Sequence, residues 1–192
     1  DELAYILNNS ESKILITSAE RLPVAREALA LAPNIIKCLV VGGDGDTPTV
    51  VNYEEAVAAY PATPIADECL GTSMLYSSGT TGQPKGILRP LEDVGPSESL
   101  PILDFLSALW HYREDMIYLS PAPLYHSAPQ TAVNLTIRKG GTAVIMERFD
   151  PQLFLELLGQ YKITHTQLVP TMFSRMLKLP PEVREKADLT SC

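Results

Sequence analysis

The sequence predicts an α/β fold, a mostly parallel sheet whose strands are joined by helical crossovers. Three observations carry this. Short apolar, β-rich runs alternate with segments of helical periodicity along the chain, and that alternation implies parallel strands with helices packed on the sheet. The final third reads strand, helix, strand, helix with clear start signals. The 192 residues are 45% hydrophobic and 20% charged, the balance of a globular chain able to bury a core.

The elements follow in order. Lys13–Thr17 is a short strand, and residues 20–31 carry Leu22, Ala25, Ala28 and Leu29 at helical spacing. Pro23 fits only near that helix's start. Cys38–Val41 is a second strand, stopped by the turn cluster Gly42-Gly43-Asp44-Gly45. Asn52 caps a short helix, with Glu55 three residues on as in a capping box. Residues 60–71 are irregular, around Pro61 and Pro64. Ser73–Tyr76 and Gly86–Arg89 are strands flanking an unusual loop, and residues 90–99 form another loop. Ile102, Leu103, Phe105, Leu106, Leu109 and Trp110 mark an apolar helix, and Met116–Leu119 is a strand running into a proline-rich loop. A helix near 130–138 stops at Gly140-Gly141. Thr142–Met146 is a strand. Asp150 is an N-cap with Pro151 at the first helical position, and Leu153, Phe154, Leu157 and Leu158 form that helix's stripe. Thr164–Val169 is the last strand, followed by a helix striped by Met172, Phe173, Met176 and Leu177.

Composition excludes several function classes. Lys plus Arg is 15 and Asp plus Glu is 23, a formal net charge of -8. No basic residue falls between Lys37 and Lys85. Nucleic-acid binding needs clustered cations, so a nucleic-acid partner is not expected. No apolar run approaches the roughly 18 residues of a membrane helix, and the opening Asp1-Glu2-Leu3 has no signal-peptide character. Cys38, Cys69 and Cys192 are too scattered for a disulfide framework or zinc site, as are His111, His126 and His165 for a metal centre. The expected compartment is the reducing cytoplasm, and no metal ligands are assigned.

The stretch Tyr76-Ser77-Ser78-Gly79-Thr80-Thr81-Gly82-Gln83-Pro84-Lys85-Gly86 carries the chemistry. Its glycines let backbone N–H groups turn toward an anion. Its hydroxyls donate to phosphate oxygens, and Lys85 adds a point charge on a flexible stem. A solvated surface loop is the alternative for any such composition, but the dense pattern with one lysine favours phosphate binding. A Walker A loop does not fit: Pro84 stands where the second glycine belongs, Gly86 where Ser or Thr belongs, and the loop runs into a strand rather than a helix.

Ser77–Gly86 resembles the signature loop of the adenylate-forming (AMP-binding) superfamily, which holds acyl-CoA synthetases, peptide-synthetase adenylation domains and firefly-type luciferases. Pro123-Leu124-Tyr125-His126 resembles the proline-aromatic-histidine motif of acyl-CoA synthetases. Gly140-Gly141-Thr142, Phe149-Asp150-Pro151 and Val169-Pro170-Thr171 resemble the next landmarks in the same order. The stretch Pro123–Pro129 looks most like that of bacterial fatty-acid–CoA ligases.

The resemblance implies a two-step reaction. A carboxylate attacks the α-phosphate of ATP, giving acyl-adenylate and pyrophosphate, and the thiol of coenzyme A then takes the acyl group. ATP, Mg2+ and coenzyme A are the implied cofactors and co-substrates, with a small-molecule carboxylic acid as partner. Ser77, Ser78, Gly79, Thr80, Thr81, Gly82, Gln83, Pro84, Lys85 and Gly86 are carried over as the phosphate loop. His126 falls near the carboxylate and α-phosphate, with Tyr125 lining the acyl pocket and Val169, Pro170 and Thr171 bordering the acyl tunnel. His165, alternating with hydroxyls, reads as structural, and so does His111 at a helix end.

Several family landmarks are not found: the tyrosine-glycine-x-threonine-glutamate motif that holds magnesium, the threonine-glycine-aspartate motif for the ribose, and the C-terminal lysine. Residues 1–192 are therefore expected to be one partial domain, an internal segment of the large domain without the small C-terminal domain. The isolated chain is expected to be inactive. An adenylation domain loading a carrier protein and a non-catalytic nucleotide-binding module are the alternatives.

Overall fold

The computed structural model describes residues 2–77 and 82–192. The chain divides into two compact units, one ending at Glu98 and one beginning at Ser99.

The first unit holds α1 (Glu2–Asn9), β1 (Ile14–Ser18), a 3-10 turn (Ala19–Arg21), α2 (Leu22–Leu29), β2 (Lys37–Val41), β3 (Val50–Asn52) and α3 (Tyr53–Ala58). The strands form a parallel sheet in the order β1-β2-β3, with Leu15 beside Cys38 and Cys38 beside Val50. Cys38, Val40 and Val50 are buried there against Leu22 and Leu29. Ala4 and Leu7 of α1 meet Ala28, Ala32 and Ile35 in a neighbouring cluster. The sequence does not announce α1, because only Ala4 and Leu7 of its eight residues are buried. The helix expected over 20–31 is shorter, with Pro23 in its first turn as anticipated. The cap of α3 is as expected: Asn52 Oδ1 accepts the Glu55 N–H at 2.9 Å. Asn52 also donates to the Gly43 carbonyl at 2.9 Å, tying the turn after β2 to the start of α3.

The same unit carries β4 (Leu75–Ser77) and β5 (Lys85–Ile87), which pair antiparallel. This hairpin is the exception in a fold whose other strand pairs are parallel among the described residues.

The second unit holds α4 (Pro101–Leu109), β6 (Ile117–Ser120), α5 (Ser127–Arg138), β7 (Thr142–Ile145), α6 (Pro151–Gln160), β8 (His165–Thr166), α7 (Pro170–Leu177) and α8 (Pro181–Arg184). Its sheet is parallel in the order β7-β6-β8. The central strand contributes Tyr118, Leu119 and Ser120, all fully buried. Leu119 packs with Met146, Phe154, Leu158 and Ile163 on one side, and Tyr118 with Met116, Ala132 and Val133 on the other. Alternate residues of β6 thus serve opposite faces, as a doubly covered strand requires.

Local signals set most boundaries. Asp150 accepts the Leu153 N–H at 2.8 Å and opens α6 with Pro151. The helix expected near 130–138 starts earlier, at Ser127, because Pro129 lies in the first turn, where N–H groups have no helical partner. The strand expected over 164–169 is in register with β6 only at His165 and Thr166, with one more backbone bond from the Thr164 N–H to the Ile117 carbonyl at 2.9 Å. Threonine hydroxyls take over ladder positions beside it: Thr164 Oγ1 accepts the Ile117 N–H at 2.9 Å. Thr166 Oγ1 donates to the Leu119 carbonyl at 2.8 Å. The backbone then turns, and Val169 is already the N-cap of α7.

Candidate functional site

The hairpin β4–β5 presents the glycine- and hydroxyl-rich loop. Tyr76 stands opposite Gly86, and Ser77 opposite Lys85. Cross-strand neighbours share a face and successive residues alternate. Ser77 and Lys85 therefore leave from one face of the hairpin and Tyr76 from the other. Both Ser77 and Lys85 are exposed, and Pro84 just before the lysine is buried. Ser78, Gly79, Thr80 and Thr81 lie outside the described residues; Gly82 and Gln83 are exposed. Because β5 begins at Lys85, the lysine opens a strand and not a helix, which agrees with rejecting a Walker A loop.

Gly86 has a steric role. A Cβ there would lie 2.5 Å from the Met74 methyl and 2.9 Å from Cζ of Tyr76. Glycine leaves room for the Met74 and Tyr76 side chains, which a Cβ would force to shift. The phenol then reaches α1 and donates to Asn9 Oδ1 at 2.7 Å. Nothing in the sequence links Asn9 to this loop, 67 residues away from Tyr76.

In the second unit, two predicted groups emerge at the same edge of one sheet. Pro121 to His126 leave the carboxyl end of β6, and Val169-Pro170-Thr171 follow the carboxyl end of β8. β6 and β8 are adjacent and parallel. In open α/β sheets this edge is where ligands bind. His126 is the N-cap of α5, but its imidazole makes no capping bond; its N–H donates to the Pro123 carbonyl at 3.2 Å. The ring instead stacks tilted on Tyr125, centroids 4.5 Å apart. Tyr125 is 78% exposed, so both rings face outward at the start of a helix. Val169, Pro170 and Thr171 are exposed as well.

His165 sits away from these groups in chemistry. Its Nδ1 lies 2.7 Å from Thr164 Oγ1, and its ring meets Tyr112 edge-on at 5.5 Å. Burial, aided by the Arg113 charge, pushes its pKa down. Burial likewise raises Tyr112 to about 12. These groups line a cavity of about 270 Å³ with Trp110, Gln167 and Cys192. None of the predicted site residues lines it. His111 takes a left-handed conformation, φ +53°, just past the end of α4. Among the described residues, no group of three or more His, Cys, Asp and Glu side chains could hold a metal ion, and no helix is long and apolar enough to cross a membrane.

Several known proteins resemble the chain in sequence and fold. Crotonobetaine/carnitine–CoA ligase of Citrobacter koseri is 28% identical over 97% of the chain and 36% of its own length. Medium/long-chain-fatty-acid–CoA ligase FadD8 of Mycobacterium tuberculosis is 28% identical over 92% of the chain and 31% of its own length. The chain thus spans about a third of the length of these relatives. The fold is shared with the N-terminal domain of FACL13 from Mycobacterium tuberculosis, with a TM-score of 0.76 at 23% identity, over 99% of the chain and 45% of that structure. The family model for AMP-binding enzymes matches residues 1–192. Over its whole length, therefore, the chain belongs to the AMP-binding enzyme family.

Proposed function

We propose that the chain is a segment of the large domain of an ATP-dependent acyl-CoA ligase. The whole enzyme would activate a carboxylic acid, with fatty acids the first candidates, as an acyl-adenylate and transfer it to coenzyme A in the cytoplasm. The observation that carries this reading is the hairpin register. It sets Ser77 and Lys85 side by side at the mouth of the glycine- and hydroxyl-rich loop, inside a chain matched throughout by the family model.

In this reading the acid's carboxylate oxygen attacks the α-phosphate, and the bond to the bridging oxygen breaks. Negative charge builds on the departing pyrophosphate. The Lys85 ammonium and the Ser77 hydroxyl meet that charge, with Ser78, Thr80, Thr81 and loop N–H groups as further donors by sequence. Preorganised donors of this kind are among the larger sources of rate enhancement. His126, at the head of α5, is assigned to the region between carboxylate and α-phosphate. There the helix N-terminus also favours an anion. Tyr125 and the Val169–Thr171 turn are assigned to the acyl chain. Magnesium, which commonly binds through one or two carboxylates and the substrate phosphates, would neutralise part of the same charge.

The test is single-turnover formation of acyl-adenylate by the whole enzyme and its Lys85→Ala variant. Loss of adenylation with little change in binding of the acid supports the assignment; an unchanged rate refutes it. Transfer from the adenylate to free coenzyme A, or only to a carrier protein, separates the ligase from a carrier-loading domain.

A further inference from the structure

A three-pair hairpin is marginal on its own, and its pairs here are Leu75–Ile87, Tyr76–Gly86 and Ser77–Lys85. The face opposite Ser77 and Lys85 is the one that is held. Met74 and Tyr76 cover Gly86 from that side. The Tyr76 phenol donates to Asn9 Oδ1 at 2.7 Å, at the last residue of α1. The neighbouring Asn8 donates to the Leu31 carbonyl at 2.8 Å, just beyond the end of α2. Two adjacent asparagines therefore tie α1 outward to the hairpin and inward to α2. Ala4, Leu7, Ala28 and Ala32 of these two segments are buried in one cluster. The hairpin is connected to that core through a phenol, a glycine that makes room for its ring, and an amide.

We propose that Tyr76 and Asn9 form a latch that sets where Ser77 and Lys85 stand for the nucleotide, so that both are positioning residues for the first step. This rests on the reading that Lys85 meets the phosphates. Held at its Tyr76 face, the hairpin turns its Ser77 and Lys85 face outward. With the latch released, the hairpin keeps its three backbone pairs, the buried Pro84 and the Tyr76 ring over Gly86, but loses its bond to α1, and the lysine would sample places where it cannot meet the nucleotide. Tyr76 itself leaves from the opposite face and touches no substrate in this arrangement.

The experiment uses the whole enzyme and measures KM for ATP and for the acid by pyrophosphate release, beside thermal unfolding. Tyr76→Phe keeps the ring over Gly86 and removes only the hydroxyl. It is expected to raise KM for ATP about three- to tenfold, the size of one net hydrogen bond. KM for the acid should stay within about twofold on the same reasoning, because the acyl groups are on other elements. Asn9→Leu should do the same, the double variant should be no worse than either single, and Asn9→Asp, which keeps an acceptor, should restore the native KM. A fall in the unfolding temperature with unchanged KM for ATP in both single variants would mean a merely structural contact and overturn the proposal. So would additive effects in the double variant. Lys85→Ala is run alongside. If it impairs adenylation while Tyr76→Phe and Asn9→Leu do not, the latch alone fails. If it has no effect, the phosphate reading fails and the latch with it.

Discussion

Lys85 carries the sharpest consequence at the level of single residues. It opens β5 opposite Ser77, and its charge is the one cation in the loop sequence. Removing one electrostatic contact to the developing charge typically costs about 3 kcal/mol in the transition state, roughly a hundredfold in rate. Lys85→Ala in the whole enzyme is expected to show that loss in adenylation, measured by rapid quench. His165 gives a second expectation, concerning pH. Burial and the Arg113 charge lower its pKa in the fold, while an unfolded histidine titrates near about 6.5. The unfolded state therefore binds more protons in the window below that value. Stability is fully present above about pH 6.5 and declines as pH falls toward the native pKa. Its imidazole NMR signals should titrate below the free value, and His165→Gln should flatten that part of the stability profile.

Helix ends in this chain share one device at the level of elements. After α1, α4, α5 and α6 the chain turns through a left-handed residue: Glu11, His111, Gly140 and Lys162. The N–H groups that follow fold back in the Schellman pattern, Ser12 to Leu7, Tyr112 to Ser107, Gly141 to Thr136 and Ile163 to Leu158, at 2.9 to 3.1 Å. Only Gly140 was legible as a stop, because glycine is the residue that takes φ > 0 without strain. Charged and aromatic residues at the other three positions carry no such sign. Glu11→Gly is accordingly expected to stabilise the fold by up to about 1 kcal/mol, the αL strain less the added chain entropy, read as a shift in the urea midpoint. The same contrast holds elsewhere. Asn52, Asp150 and Pro151 announced their helices because capping is local chemistry. The early end of β8 was hidden, since it depends on where the threonine hydroxyls of residues 164 and 166 meet β6. The antiparallel hairpin was partly legible. Seven residues separate Ser77 from Lys85, fewer than the dozen a parallel crossover requires. The loop's chemistry and the Tyr-His motif stood in the sequence, whereas the Tyr76–Asn9 bond is set by tertiary packing alone.

The whole molecule leaves much apolar surface uncovered. Ile102, Phe105 and Leu109 follow one another on α4 at helical spacing and are each more than half exposed. Ile14 and Ile16 lie on one face of β1, also more than half exposed, where a parallel sheet is normally covered by helices. Of the stripe Met172, Phe173, Met176 and Leu177 on α7, Phe173 and Leu177 are exposed while Met172 is buried. Contiguous apolar patches of this kind mark surfaces that pack against something. The relatives are about three times as long as the chain, and the segment reading assigns these faces to the remainder of the enzyme. Purified alone, the chain should bind a hydrophobic dye and self-associate. Phe105→Glu with Leu109→Lys should reduce both without lowering the unfolding midpoint, in contrast to any charge placed at the fully buried Leu119.

The segment reading also makes a chemical prediction about the same molecule. The magnesium glutamate, ribose aspartate and C-terminal lysine that the resemblance implies have no matching motifs in residues 1–192. Lys85 and Ser77 could still attract a triphosphate, but attraction common to ground and transition states does not accelerate chemistry. Adenylation needs the carboxylate, the α-phosphate and the neutralising groups held in line together. The chain alone, mixed with ATP, magnesium and a panel of fatty acids, is therefore expected to release no pyrophosphate above background. Adding the remainder of the enzyme as a separate polypeptide should restore release if the exposed faces on β1, α4 and α7 are where it packs. Robust turnover by the chain alone would refute the segment reading, because residues 1–192 would then contain every group the first step requires.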